Sequence, residues 1–193
     1  MLLRRALLLL GSLVVLFNVC IASAMSARAA AVPPVVGEKA RDFRLPGGDG
    51  RPVQLSELMR QGPVVVVVLR GFPGYQCPAC NTQTGQFFSA AEKLRAANAQ
   101  VVVVYPGQSK GLADHAREFM NDKTTPVGFH VVLDPDYRFT NLYGLRWDAP
   151  RETAYPSTFV VDSTGVVRFA KISRSHGGRA SVDEVLQALA ATK

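Results

Sequence analysis

Two cysteines three residues apart, Cys77 and Cys80, stand in the stretch Arg70-Gly71-Phe72-Pro73-Gly74-Tyr75-Gln76-Cys77-Pro78-Ala79-Cys80-Asn81. An unbroken valine run, Val64 to Val68, precedes that stretch, and a helix-like segment from Thr82 to Ala97 follows it. A buried strand that turns into a helix on a Cys-x-x-Cys is a frame for thiol chemistry. The first turn of a helix offers unpaired N–H groups and the positive end of the helix dipole, both of which favour a thiolate. The thiolate is the nucleophile, and a second cysteine one turn on can close or resolve a disulfide with it. Arg70, at the strand end, is a candidate cation beside that thiolate.

Other uses of the pair lack support in the sequence. A zinc site needs two further ligands. The third cysteine, Cys20, lies in the apolar N-terminus, and His115, His130 and His176 are scattered. A purely structural disulfide across so short a loop constrains little. Copper chaperoning through the two thiolates and His130 is a further alternative, since soft thiolates select Cu(I). No metal and no cofactor is assigned.

The elements that must hold the pair follow from periodicity. Val64–Arg70 and Val101–Tyr105 are continuous β-branched runs that suit central strands covered on both faces. His130–Leu133 reads as a third strand, and Phe159–Val161 with Val166–Ile172 as a hairpin across Asp162–Gly165. Ala40–Leu45 and Arg51–Leu55 flank a glycine-rich turn. Ser56 is the expected cap of a short helix, Glu57–Arg60. Leu112, Ala116 and Phe119 share one stripe of a helix over Lys110–Asp122. Ser181 and Glu184 make a capping box for a closing helix, Val182–Ala190. The order predicts an α/β fold, a mixed central β-sheet flanked by helices.

The ends and the charge set an address. Met1 to Arg5 is basic, Ala6 to Ala24 apolar and uncharged, and Ala27-Arg28-Ala29 an Ala-x-Ala cleavage signal. Residues 1–29 therefore read as a signal peptide or a membrane anchor, 30–36 as a linker and 37–193 as the folded domain. The expected location is periplasmic or secreted, with the membrane involved only through an N-terminal anchor. The formal charge of +7 falls by three when Arg4, Arg5 and Arg28 leave. The remaining surplus is spread without a basic cluster, which argues against a nucleic-acid partner.

With these residues in place, the chain resembles the thioredoxin-fold redoxins, which join peroxiredoxins of the AhpC/TSA type with thiol–disulfide reductases. Gly37 to Leu45 resembles the family's opening segment, with Arg41 where a proline is usual. Tyr155-Pro156-Ser157-Thr158-Phe159 resembles the stretch that leads through a cis-proline into a core strand. Pro73 and Cys80 match the peroxiredoxin pattern Pro-x-x-x-Thr/Ser-x-x-Cys, with Cys77 in place of the Thr/Ser. The arginine that peroxiredoxins carry near the position of Pro156 is missing, and Gln76 and Gln83 stand where reductases often have an aromatic residue and a glutamate.

The resemblance implies a thioredoxin-like fold with Cys80 and Cys77 as catalytic residues and Pro156, Tyr155, Pro73 and Arg70 at the substrate. In a peroxidase Cys80 would attack peroxide and Cys77 resolve; in a reductase Cys77 would attack a protein disulfide. The implied partners are a peroxide or protein disulfide and a thiol reductant, thioredoxin-like or membrane-borne. Peroxidase is the leading reading, and disulfide reductase the alternative.

Overall fold

The valine run builds the centre of the sheet. In the computed structural model, which describes residues 31–192, β3 (Val64–Val68) is buried at every position. Successive side chains point to opposite faces. Val65 and Val67 enter one hydrophobic layer, and Val64, Val66 and Val68 enter the other. Only a strand covered on both sides tolerates five valines in a row.

Before it, β1 (Arg44–Pro46) and β2 (Pro52–Gln54) form a small antiparallel hairpin, followed by the short helix α1 (Leu55–Met59). Ser56 does not cap α1. The helix starts two residues earlier than expected, and Asp42 accepts hydrogen bonds from the Ser56 backbone N–H (2.9 Å) and hydroxyl (2.8 Å). The capping acid thus comes from fourteen residues upstream.

After β3 come α2 (Pro78–Ser89), α3 (Ala91–Ala96), β4 (Gln100–Gly107), α4 (Leu112–Met120) and β5 (Phe129–Pro135). The helix expected as one piece from Thr82 to Ala97 is two, divided at Ala90. Then follow α5 (Arg138–Leu142), β6 (Ser157–Val161), β7 (Val167–Ile172) and α6 (Val182–Ala190). The sheet runs β5-β4-β3-β6-β7, with β3 parallel to β4 and β4 parallel to β5, while β6 lies antiparallel to both β3 and β7. One layer gathers Phe87, Leu94, Leu112, Phe119, Val185 and Leu189 from α2, α3, α4 and α6. The other gathers Leu45, Leu55, Leu58, Phe139 and Tyr143 from the hairpin, α1 and α5. The predicted capping box is present, with Ser181 and Glu184 satisfying each other's backbone N–H.

The expected leader, residues 1–29, lies outside the described residues. Among the described residues no helix is long and apolar enough to cross a membrane. At β3 the chain steps one way to β4, and the sheet resumes on the other side with β6. The carboxyl end of β3, where those directions part, is where open α/β sheets hold ligands. The cysteine loop leaves from there.

Candidate active site

Leaving β3, the chain laces along the end of β4: Leu69 N–H donates to Val104 (3.0 Å) and Phe72 N–H to Pro106 (3.3 Å). Between them Gly71 sits at φ +74°, and a Cβ there would lie 1.9 Å from the Pro106 carbonyl oxygen. No side chain fits that approach. Gln76 then pins the loop, donating to the His115 carbonyl (2.9 Å) and Glu118 (3.0 Å) and accepting from the Tyr105 hydroxyl (2.9 Å).

Cys77 is the N-cap of α2, with Pro78 opening the helix, a position where the missing N–H of proline costs nothing. The Cys80 N–H points back to Cys77 Sγ at 3.3 Å. Both cysteines are free thiols and buried, Cys80 completely and Cys77 with 3% of its surface exposed.

The cation at the sulfurs is Arg179, on the loop between β7 and α6. Its Nη2 lies 3.9 Å from Cys77 Sγ and 3.7 Å from Cys80 Sγ. Its Nη1 donates to Gln83 Oε1 (2.9 Å), and its Nε to the His176 carbonyl (3.2 Å). Gln83, one turn beyond Cys80 and buried, steers the guanidinium without neutralising it; a glutamate there would pair with it.

The two sulfurs part in acidity. The Cys80 thiol as hydrogen-bond partner, the Cys80 N–H and the charges of Arg179 and Arg70 outweigh burial and bring Cys77 down to about 6. Burial, with the neighbouring Cys77 thiolate, pushes the Cys80 thiol up. Arg179 faces both sulfurs, and the balance between them is set by the deeper burial of Cys80 and by the Cys80 N–H that caps Cys77.

Arg70 is buried, but its guanidinium does not hold the sulfurs. It donates to Glu152 (2.5 Å), the Tyr75 hydroxyl (2.7 Å) and the Arg151 carbonyl (2.8 Å), leaving Cys77 only a longer-range charge. Glu152 is also the partner of His176 (2.9 Å). Against the burial that would raise it, hydrogen bonds from Arg70 and His176 hold the Glu152 carboxyl below the usual range.

Pro156 departs from its expected geometry. It enters β6 at the right end of the sheet, since Ser157 pairs with Val68. No peptide bond among the described residues is cis, however. Nor is the backbone open to a substrate. The Pro156 carbonyl accepts from Ser173 N–H (2.8 Å), and Tyr155 N–H donates to Leu145 (2.8 Å). Tyr155 is sandwiched between Trp147, stacked at 4.9 Å, and the Arg174 guanidinium at 4.7 Å. Pro73 lines a cleft beside the cysteine loop.

His130, the histidine a copper site would need, sits near the start of β5 and pairs with Gln100 (3.2 Å), where β4 begins. The length of the parallel strands separates it from Cys77. Among the described residues no three His, Cys, Asp or Glu side chains gather as a metal site.

Sequence reasoning missed Arg179, Glu152 and the role of His176. Arg179 follows Gly177-Gly178 and precedes the Ser181 cap, and nothing local marks it as an active-site cation.

An N-capping cysteine at the carboxyl end of a central strand, with a second cysteine one turn on, is the arrangement of a thioredoxin-like redoxin. Residues 36–170 match the model of the AhpC/TSA family, and the chain belongs to that family. Among its relatives is peroxiredoxin Q, chloroplastic, of Oryza sativa subsp. japonica, 30% identical over 133 residues that make up 69% of this chain. Peroxiredoxin 1 of Caldanaerobacter subterraneus subsp. tengcongensis is 28% identical over 127 residues, 64% of this chain. The chain spans 57% of the length of each of these two relatives. The crystal structure of peroxidoxin BcpB from Mycobacterium tuberculosis shares the fold, with a TM-score of 0.64 and 22% identity, over 83% of this chain and 99% of that one.

Proposed function

We propose that the chain is a thiol-dependent peroxidase that cycles Cys77 and Cys80 between dithiol and disulfide. The observation that carries the reading is the Cys77 sulfur itself, capped by the Cys80 N–H and faced by Arg179. The family resemblance assigns first attack to Cys80; the acidity and slight exposure of Cys77 support assigning it to Cys77. The Cys77 thiolate attacks one peroxide oxygen, forming S–O as O–O breaks. The leaving oxygen takes a proton and departs as water or an alcohol, and Arg179 stabilises the charge that develops. The Cys80 thiol then attacks the sulfenic sulfur, water leaves and the disulfide closes. Two thiol groups, from two small thiols or one protein dithiol, supply the two electrons that restore the dithiol and leave joined as a disulfide.

A disulfide reductase would use the same Cys77 thiolate, but the trans Pro156 and its engaged backbone offer no strand for a substrate protein to pair with. The test is stopped-flow reaction with hydrogen peroxide in the two single mutants. Cys80→Ser should react once and stop as a sulfenic acid, whereas Cys77→Ser should not react. The reverse pattern would return the first attack to Cys80.

The reading includes export. The basic N-terminus, apolar run and Ala-x-Ala signal support it. Fractionation of cells expressing the full chain, with N-terminal sequencing, should find a protein outside the cytoplasm that begins at Ala30. An intact N-terminus in the membrane fraction would identify an anchor, and a cytoplasmic full-length chain would remove this part of the proposal.

A further inference from the structure

Beside the cysteine loop, between the end of β4, the turn after β5 and the segment ahead of β6, lies a cleft of about 380 Å³. That volume is at the small end of the range for organic ligands. Phe72 and His115, stacked ring on ring at 3.5 Å, and Tyr137 supply flat apolar surface. Three cations line it: Lys110, Arg146 and Arg151. Arg146 is fixed over the Tyr137 ring at 4.2 Å and donates to the carbonyls of Trp147, Glu152 and Thr153. The carboxylate lining the cleft, Glu152, is already matched by Arg70.

Two observations mark the cleft as more than a surface fold. Thr153 lines it, and its buried hydroxyl has no hydrogen-bond partner among the described residues. An orphaned buried hydroxyl is costly unless something satisfies it. In addition Tyr137 and Arg151 hold left-handed backbones, at φ 60° and 59°, a conformation that side-chain-bearing residues keep only where the surroundings impose it. Phe72, Pro73 and Gly74 of its wall stand three to five residues ahead of Cys77 in the same loop.

We propose that this cleft binds the carboxylate of a small organic molecule whose other end reacts at the cysteine pair, either a hydroperoxide or a thiol. The inference rests on the peroxidase reading for the hydroperoxide and on thiol–disulfide exchange alone for the thiol. A hydroperoxide ROOH leaves as ROH while Cys77 becomes the sulfenic acid. Two thiols RSH, by contrast, leave as RSSR while the Cys77–Cys80 disulfide returns to the dithiol. In both cases the exposed Lys110 and Arg151 supply the charges for the carboxylate, while Arg146, also paired with Asp148 at 3.7 Å, is held in place at the wall.

The experiment compares the full chain with a Lys110→Gln/Arg151→Asn double variant, asparagine being chosen because it tolerates the left-handed backbone. One arm measures reduction of the disulfide by mercaptoacetate against mercaptoethanol. The second measures turnover of a tertiary alkyl hydroperoxide that carries a carboxylate, against its methyl ester. The third titrates succinate into a Cys77→Ser/Cys80→Ser chain at constant ionic strength, read by the single tryptophan, Trp147.

The charged-to-neutral rate ratio should fall about tenfold in the double variant for one class of reagent, which names the source, and succinate affinity should fall by a similar factor. Ratios unmoved in both kinetic arms overturn the inference, as does succinate binding that is absent or equal in both proteins. A wild-type chain inert to every hydroperoxide overturns the peroxidase reading instead, and leaves the thiol and succinate arms to decide the cleft.

Discussion

The two ends of the central sheet are made from the same strands and solve opposite problems. At the amino ends several side-chain pairs span moderate separations, although Lys39 also donates to the Thr164 carbonyl across 125 residues. Asn98 donates to the Gln61 carbonyl across 37 residues, and His130 meets Gln100 across 30. At the carboxyl ends the partners come from across the chain: Arg70 meets Glu152 across 82 residues, and Arg179 reaches Cys80 and Cys77 across 99 and 102. Among the described residues, the three buried hydroxyls without a partner, those of Thr84, Thr153 and Thr158, belong to segments around this end. So do Asp136, Tyr137 and Arg151, three of the four non-glycine residues with left-handed backbones among the described residues. The amino end is less strained, with Asn98 as its left-handed residue, although a cleft of about 700 Å³ borders it at Gln61, Phe129 and His130.

The sharpest way to break that comparison is at the thiolate. Cys77→Ser should lower peroxide consumption by about a thousandfold or more, because removal of a nucleophile leaves only residual binding effects. Stopped-flow kinetics measures it, and a variant that retained most of the rate would make the carboxyl end no more special than the other. Next in size is Gly71→Ala. Forcing a Cβ against Pro106 should cost about 2–4 kcal/mol of stability, read by denaturant unfolding. A neutral outcome would mean that the loop can leave β4 without loss.

Arg179→Gln should raise the Cys77 titration point by about one unit and slow reaction at neutral pH by up to about tenfold, since a nearby opposite charge is what is lost. The wild-type alkylation rate should rise as pH increases through about 6 and then level off. The sign for stability is fixed by the same shift. A thiol whose folded pKa lies below its ordinary value of 9.0 contributes stability that is fully present above that value and is lost as pH falls through about 6. Thermal unfolding from pH 5 to pH 9 in wild type and Cys77→Ser, an interval chosen to bracket roughly both values, isolates it. Smallest of all, Gln100→Ala should cost about 1 kcal/mol in stability and leave turnover within about twofold, because the hydrogen bond it removes lies at the opposite end of the sheet from the cysteines. A larger loss of activity would show that the two ends are coupled.

Much of the frame was legible beforehand. Five valines in a row can only be a strand covered on both faces, and the stripe Leu112, Ala116 and Phe119 is buried as one helix face. The capping box of α6 is readable because its partners are three residues apart. The cap of α1 was misread because its acid, Asp42, lies far upstream and displaced the local candidate Ser56. Pro156 was assigned a cis bond from its family setting, yet tertiary hydrogen bonds to Ser173 and from Tyr155 to Leu145 commit that backbone to a trans course.

The spacing of Cys77 and Cys80 and the strand before them were enough, from sequence alone, to place a cysteine pair at a helix start. Hydrophobic periodicity and short-range capping act within a few residues, so an α/β sheet flanked by helices was also determined there. Which charged groups face the two sulfurs was decided only by the tertiary structure. Arg179 reaches the pair because the β7–α6 loop folds over it, and Glu152 occupies Arg70 because the segment before β6 runs past the end of β3. Charge acts through space over several ångströms regardless of the intervening chain, so its partners are set by where the sheet brings distant loops, which no local pattern records.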